Sequence, residues 1–338
     1  MPSLFRPTTP ADEKPLAEFL RKVFQSGPDA VYLDGAVLRW KYWDRRDDYP
    51  EPRSFVIEKD GHIAAHAGLW PVTLRSDGGL IRGVSLIDWA SDPQALGAGV
   101  SLLQRISRTF DFVYSIGGTA MTTAIMPKLG FQAVAEAKTW ARPLRPWRQM
   151  MEQRRIDYRL PARLVRNVVW SRLPATAPHR GWSLVPADSA ATAKLAAAGA
   201  ERSEGFFRFL DQCPGARCRL FQILNGGKAA GCIEFAFAGK QARIAGLWLD
   251  RPSPDNWRIA LELAQDFALR QTDACEIIAR SADPAAALGA ASAGMRLRDC
   301  RPVLLHSRTT GHQKLPLQFQ LVDNDNVFLS EGAADFLT

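Results

Sequence analysis

The chain has 338 residues, 46% of them apolar and 23% charged, with 43 Lys+Arg against 35 Asp+Glu and a formal net charge of +8. At roughly 150 residues per domain there is room for two cores, and the balance excludes a mainly disordered, fibrous or disulfide-built protein. The excess positive charge raises the question of an anionic partner: nucleic acid, a membrane surface or a phosphorylated ligand.

Leu4 to Pro7 reads as a short strand, and Leu16, Phe19, Leu20 and Phe24 form a helical stripe over Asp12 to Phe24. Asp34 can cap a second helix, Gly35 to Trp43. Strands follow at Arg53 to Glu58 and His62 to Leu74, joined by the hairpin signal Lys59-Asp60-Gly61. After the turn Ser76-Asp77-Gly78-Gly79 comes a strand, Leu80 to Trp89. Then a helix over Gly97 to Phe110, a strand over Phe112 to Ile116, a helix over Thr119 to Leu129 and a strand over Thr139 to Leu144 complete the order β-α-α-β-β-β-α-β-α-β.

The second half repeats that order. Pro186-Ala187-Asp188 stands where Pro10-Ala11-Asp12 stands, and Phe206 to Asp211 echoes Arg39 to Asp44. Asn225-Gly226-Gly227 matches the first hairpin, and Ala293-Gly294-Met295 matches Leu129-Gly130-Phe131. The shared order points to an internal duplication. The bridge, 141–180, holds ten arginines, no lysine and only two acids, Glu152 and Asp157. The whole net charge therefore sits there, which argues against nucleic-acid binding by either half. Leu164, Val165, Val168, Val169 and Leu173 form an apolar stripe in the bridge. An interdomain helix with its arginines in solvent is expected; contact with an anionic membrane surface is the alternative.

Met1 to Lys14 has no apolar run of a signal peptide and no segment approaches the ~18 apolar residues of a membrane span. Five cysteines, an odd number without a CxxC pair, read as free thiols in a reducing cytoplasm. The five histidines are scattered, and no metal site is expected.

The stretch Ile87 to Val100 carries the chemistry. It reads as a strand, a turn and a helix start bearing Gly97 and Gly99. Glycines there let a backbone approach a ligand, and free N–H groups at the positive end of a helix hold a phosphate. Gln94-x-x-Gly97-x-Gly99, following the fourth strand and opening an amphipathic helix, resembles the pyrophosphate loop of the GNAT acyltransferase family. Lys128-Leu129-Gly130-Phe131 resembles the Leu-Gly-Phe signature that closes the core of that family.

The resemblance covers residues 3 to 144 and, as a degenerate copy, 181 to 308. It implies an α/β (α+β) fold of two GNAT-like domains, each a mixed, mostly antiparallel sheet flanked by helices. The division is 1–144, an acyl-CoA-binding domain; 145–180, a basic helical linker; and 181–338, a degenerate second copy. It implies acetyl-CoA or another acyl-CoA as co-substrate and direct transfer to a small amine or amino sugar. Gln94, Ala95, Leu96, Gly97, Ala98 and Gly99 would hold the pyrophosphate, while backbone groups of Trp89 and Ala90 would flank the thioester and polarise its carbonyl.

Two departures matter. Asp92-Pro93 lies two residues closer to the loop than is common in the family, so the turn must be tighter. Met126 stands where many members carry an acidic tyrosine. Tyr114 is then the candidate acid and Asp88 the candidate base, with half-buried sheet packing and an ion pair to an arginine as their structural alternatives. In the second copy, Pro252 and Pro254 remove N–H donors where a phosphate would need them, so that copy is expected not to bind CoA. Asp323-Asn324-Asp325-Asn326 reads as a turn between terminal strands, or as carboxylates orienting a cationic acceptor. Trp40, Tyr42 and Trp43 read as core or as acceptor-pocket lining. The rival functions are a Fem-like transferase using aminoacyl-tRNA and a non-catalytic acyl-CoA-binding protein. Oligomeric state is left open.

Overall fold

The computed structural model describes residues 3–76, 79–152, 158–172, 179–196, 202–308, 318–328 and 336–338. The first half runs β1 (Leu4–Pro7), α1 (Glu13–Phe24), α2 (Gly35–Tyr42), β2 (Ser54–Lys59), β3 (His62–Ser76), β4 (Gly79–Ser91), α3 (Ala98–Thr109), β5 (Phe112–Ile116), α4 (Ala120–Ile125) and β6 (Gln132–Pro143). Helices α5 (Pro146–Glu152) and α6 (Leu160–Ser171) bridge to the second half. There the same order returns as β7 (Trp182–Pro186), α7 (Ser189–Ala196), α8 (Glu204–Asp211), β8 (Arg217–Asn225), β9 (Lys228–Ala238), β10 (Gln241–Leu249), α9 (Pro254–Gln271), β11 (Glu276–Ser281), α10 (Pro284–Ser292) and β12 (Arg296–Ser307).

Local chemistry accounts for most boundaries. Asp34 accepts the Ala36 N–H at 2.8 Å and starts α2. Asp60 and Gly61, then Gly226 and Gly227, take left-handed φ in succession, the backbone of a type I′ hairpin turn in each half. The helix expected over Thr119 to Leu129 is α-helical only to Ile125. It then tightens into a 3-10 turn, Met126–Leu129, because Pro127 has no N–H to continue the ladder, and Gly130 ends it at φ 87°.

The twelve strands of the described residues form one sheet in the order β1-β2-β3-β4-β5-β12-β6-β11-β10-β9-β8-β7. The order is symmetric about the antiparallel β12–β6 pair, and each half receives its last strand from the other. β6 reaches back to Gln132, well before the expected Thr139. Its Ala-rich start has little strand preference of its own and is held by pairing with β12. Among the described strands, only β4–β5 and β10–β11 pair in parallel.

One face of the sheet carries α3 in the first half, and α9 and α10 in the second. The opposite face carries α1, α2, α7 and α8, and between them the segment 318–328. Trp40, Trp70, Phe209 and Phe328 meet at its centre, with Trp40 and Phe209 stacked at 5.0 Å. The turn expected at 76–79 falls partly outside the described residues, at 77 and 78, as does Leu173 of the bridge stripe.

The bridge stripe behaves differently from expectation. Leu164 and Val168 are half-buried, but Val165 and Val169 are 66% and 58% exposed, while Arg163 and Arg166 are half-buried. Arg166 lies over the Trp170 ring at 4.4 Å and bonds Asn167 at 3.0 Å. The stacking covers the guanidinium stem, so α6 turns part of its apolar stripe, rather than these arginines, to solvent. No helix among the described residues is long and apolar enough to cross a membrane.

Candidate functional site

The parallel pairing of β4 with β5 is short. It joins Gly83, Val84 and Ser85 to Phe112, Val113 and Tyr114, after which β4 continues to Ser91 without β5 beside it. The sheet therefore splits at the level of Ser85. Just beyond, β4 is bulged: Gly68 of β3 faces Ile87, but His66 faces Ala90, so β4 carries an extra residue. Asp88 lies in this bulge with φ 46°, a left-handed conformation uncommon for a residue with a side chain.

The strand leads into the expected tight turn. Asp92 accepts the Ala95 N–H through its carbonyl and the Gln94 N–H through its carboxylate, both at 2.9 Å, and Lys22 of α1 pairs with it at 2.8 Å. A second turn, Ala98 N–H to Ala95 carbonyl at 3.1 Å, brings the chain into α3. The backbone N–H groups of Leu96, Gly97, Gly99 and Val100 make no hydrogen bond among the described residues. Gly97 has φ 78°, and a Cβ there would meet nothing within 4 Å. At Gly99 a Cβ would stand 3.0 Å from Ser91 Cβ, so this glycine lets the helix close onto β4. Trp89 donates its indole N–H to the Gly99 carbonyl at 3.1 Å and fastens the two together. Open space, free donors and a helix N-terminus form a cradle suited to a phosphate.

The second half preserves the split but not the cradle. Parallel pairing of β10 with β11 ends at Ile244 and Ala279. Helix α10 packs against the first turn of α9, where a Cβ on Gly289 would lie 2.9 Å from the Pro254 carbonyl oxygen and from Arg258 N. In the first half α4 stands away from α3, with Met121 72% exposed.

On the α1–α2 side of the β4 bulge lies a buried ionic cluster. Lys41 Nζ is fully buried and contacts Asp88 Oδ2 closely and Asp325 Oδ2 at 2.5 Å. The Tyr42 hydroxyl donates to Asp88 Oδ2 at 2.5 Å, passing over Gly68, where a Cβ would stand 2.7 Å from the Tyr42 ring. Burial works against the Asp88 charge. The Lys41 ammonium and the bonds from Lys41 and Tyr42 outweigh it, and the carboxyl titrates below its ordinary value. For Asp325, burial and the Asp88 charge win over Lys41, and its carboxyl titrates above the ordinary value. Burial also pulls Lys41 down, but the two carboxylates more than offset it and keep the amine charged.

His66, fully buried on β3, holds the bulge from behind. Nδ1 donates to the Asp88 carbonyl at 3.0 Å, leaving Nε2 to accept from the Ser54 hydroxyl at 2.9 Å. Burial lowers its pKa to about 4, so the ring is neutral. Unfolded, it would take up a proton below the ordinary 6.5. Stability from this group is therefore complete above pH 6.5 and lost as pH falls toward 4, by about 3 kcal/mol in all. Urea melts at pH 7 and pH 4.5 should show the loss, and His66→Gln should flatten it.

Tyr114 packs within the sheet, as its structural reading expected. It is fully rather than half buried, and its hydroxyl donates to the Asp323 carbonyl at 2.8 Å. Burial raises its pKa well above the ordinary value. In this position the phenol serves packing and the 318–328 segment. Tyr114→Phe should cost about 1 kcal/mol of stability and change turnover less than threefold, whereas loss of a general acid would cost ~10²–10⁴-fold. Asp88, for its part, is paired with Lys41 and Tyr42 and with no arginine. Met126 is fully buried in the core under α3.

Asp323 to Asn326 is a turn, as one reading expected, but a buried one. The segment forms two short 3-10 turns with Asp323, Asn324 and Asp325 buried, and its carboxylates are engaged by Arg202 and Lys41. Trp40 is core, while Tyr42 belongs to both core and site. Lys41 is the residue that sequence reasoning missed. Its signal was available, since it follows Val37 and Leu38 at helical spacing on the buried face of α2. Among the described residues no group of three or more His, Cys, Asp or Glu could hold a metal ion.

No family model matches the sequence, and no curated protein does. Solved structures do. N-myristoyltransferase of Saccharomyces cerevisiae, bound to myristoyl-CoA and inhibitors, superposes with a TM-score of 0.58 at 12% identity, over 90% of this chain and 80% of that one. A GCN5-related N-acetyltransferase of Anabaena variabilis gives 0.56 at 13%, over 90% and 73%. A proposed acetyltransferase of Pyrococcus horikoshii gives 0.55 at 12%, over 95% and 94%. The chain has the GNAT fold. In that fold the split beside β4 and the cradle at α3 belong to one half, and the second half repeats the GNAT architecture with its helix N-terminus covered.

Proposed function

We propose that the protein is an acyl-CoA-dependent N-acyltransferase whose single acyl-CoA site lies in its first half. The observation that carries this is the cradle at 94–100, where the turn engages the N–H groups of Gln94, Ala95 and Ala98 but leaves those of Leu96, Gly97, Gly99 and Val100 free, opening beside the split between β4 and β5. These N–H groups would bind the pyrophosphate, the cleft between α3 and α4 would receive the nucleotide, and the pantetheine would lie along β4 toward Trp89 and Ala90. With the thioester beside the Asp88 bulge, a backbone N–H of Trp89 or Ala90 would stabilise the developing oxyanion. Acetyl-CoA is the donor we favour and a small amine or an amino sugar the acceptor. The five free cysteines, four of them buried, suit a reducing cytoplasm.

Transfer needs the acceptor amine unprotonated. Asp88, held ionised by Lys41 and Tyr42, is a weak proton acceptor, so the amine arrives as its free base or sheds its proton to water. kcat/KM then rises with pH up to the pKa of the acceptor's own ammonium. The leaving thiolate takes its proton from solvent rather than from Met126 or Tyr114.

Release of CoA from acetyl-CoA, followed by mass spectrometry over a panel of amines and amino sugars, tests the reading. Amine-dependent release supports it. CoA binding without release for any amine would favour a non-catalytic acyl-CoA-binding protein. Salt-sensitive tRNA binding without CoA binding would favour the aminoacyl-tRNA reading.

A further inference from the structure

The second half has a use that its lost phosphate cradle does not suggest. In each half the central strand runs on past its parallel partner, and its outward backbone groups face the split. Three residues beyond the last pair stand Asp88 in the first half and Leu247 in the second. In the second half this edge is occupied by the chain itself. Gln320 Oε1 accepts the Leu247 N–H at 2.6 Å, and Gln320 Nε2 donates to the Leu247 carbonyl at 3.0 Å. One side-chain amide thus makes the paired bonds of a neighbouring strand. Gln320 is 3% exposed and roofs a small apolar cavity lined by Trp140, Leu247, Trp257 and Ala279. In the first half the corresponding strand is held at Asp88, whose carbonyl accepts from His66 Nδ1 at 3.0 Å.

From Gln320 the segment crosses to the other half. The Val322 carbonyl accepts the Trp70 indole N–H at 2.9 Å, the Asp323 carbonyl accepts the Tyr114 hydroxyl, and Asp325 reaches Lys41 beside the Asp88 bulge. The second half adds two further holds: Arg202 on the Asp323 carboxylate, and Arg243 Nη1 on the Val327 carbonyl at 3.0 Å.

We propose that Gln320 is a positioning residue: by filling the open edge of β10 it uses the degenerate half as an anchor that seats Asp325 in the first half's site. The part that concerns turnover rests on the acyltransferase reading; the seating itself does not.

The chemistry of the amide supplies the test. Gln320→Glu offers the same donor and acceptor when protonated, but an ionised carboxylate would face the Leu247 carbonyl and repel it. Hydrogen exchange of the 318–328 amides, read by mass spectrometry and corrected for intrinsic rates, should be slow in the parent protein at pH 5 and pH 8. In Gln320→Ala it should be at least tenfold faster at both. In Gln320→Glu it should match the parent at pH 5 and rise at least tenfold at pH 8, a reversal that general destabilisation would not produce. The acceptor KM should rise tenfold or more in Gln320→Ala with CoA affinity within twofold of the parent. Parent-like exchange in both variants would overturn the anchoring. Faster exchange with an unchanged acceptor KM would overturn the link to the site. Absence of acyl transfer by the parent protein, with exchange behaving as described, would count against the acyltransferase reading and leave the anchoring standing.

Discussion

Replacing Lys41 with methionine should lower the free energy of unfolding by about 3–5 kcal/mol, a large share of the stability of a domain. The side chain is fully buried, and its ammonium lies between Asp88 and Asp325. Methionine fills similar space but leaves two carboxylates facing each other away from water. The cost lies in the stranded charge more than in the lost contact. Two consequences separate this from a packing defect. Acidification should narrow the gap between variant and parent, because protonating one carboxylate removes the repulsion. The carboxylates of the variant would have folded pKa values above their unfolded ones, so its stability falls as pH rises through that range. Adding Asp325→Asn should recover part of the loss. Urea melts of the parent, Lys41→Met and the double variant between pH 4 and pH 8 would show this; a flat pH response would sink it.

Gly97→Trp should reduce CoA affinity by about 100-fold or more while leaving the fold in place. A side chain at Gly97 meets nothing within 4 Å, so the structural cost is the left-handed φ of 78°, about 1–2 kcal/mol. The indole would stand over the free N–H groups of Leu96, Gly97, Gly99 and Val100. Hydrogen bonds to a charged group are worth about 1.5–3 kcal/mol each, so blocking two accounts for the stated loss. Calorimetry with CoA and a parallel melt measure both halves of the expectation. Unchanged affinity would place the phosphate elsewhere.

The features legible in the sequence were those written in short, local chemistry. Asp34 as a cap, Asp60-Gly61 as a hairpin, and Gly97 and Gly99 opening α3 each follow from one or two residues and their neighbours. The duplicated order of elements was legible for the same reason, element by element. The strand exchange was not, because nothing in Gln132 to Lys138 says which neighbour it will pair with. The contacts of Tyr114, Asp325 and Gln320 were not legible because their partners lie far along the chain: Asp323 for Tyr114, Lys41 for Asp325 and Leu247 for Gln320. The bridge arginines were expected in solvent on charge alone, but stacking on Trp170 covers Arg166. The site thus divides. The phosphate cradle is a local motif, whereas the ionic cluster is assembled by tertiary structure from α2, β4 and a segment near the end of the chain.

The most direct test of one functional half and one anchoring half is the number of CoA molecules bound per chain. Calorimetric titration of the full chain with CoA should give one site per chain, and Gly97→Trp should abolish it. Two sites per chain, or a site that survives in Gly97→Trp, would contradict the account.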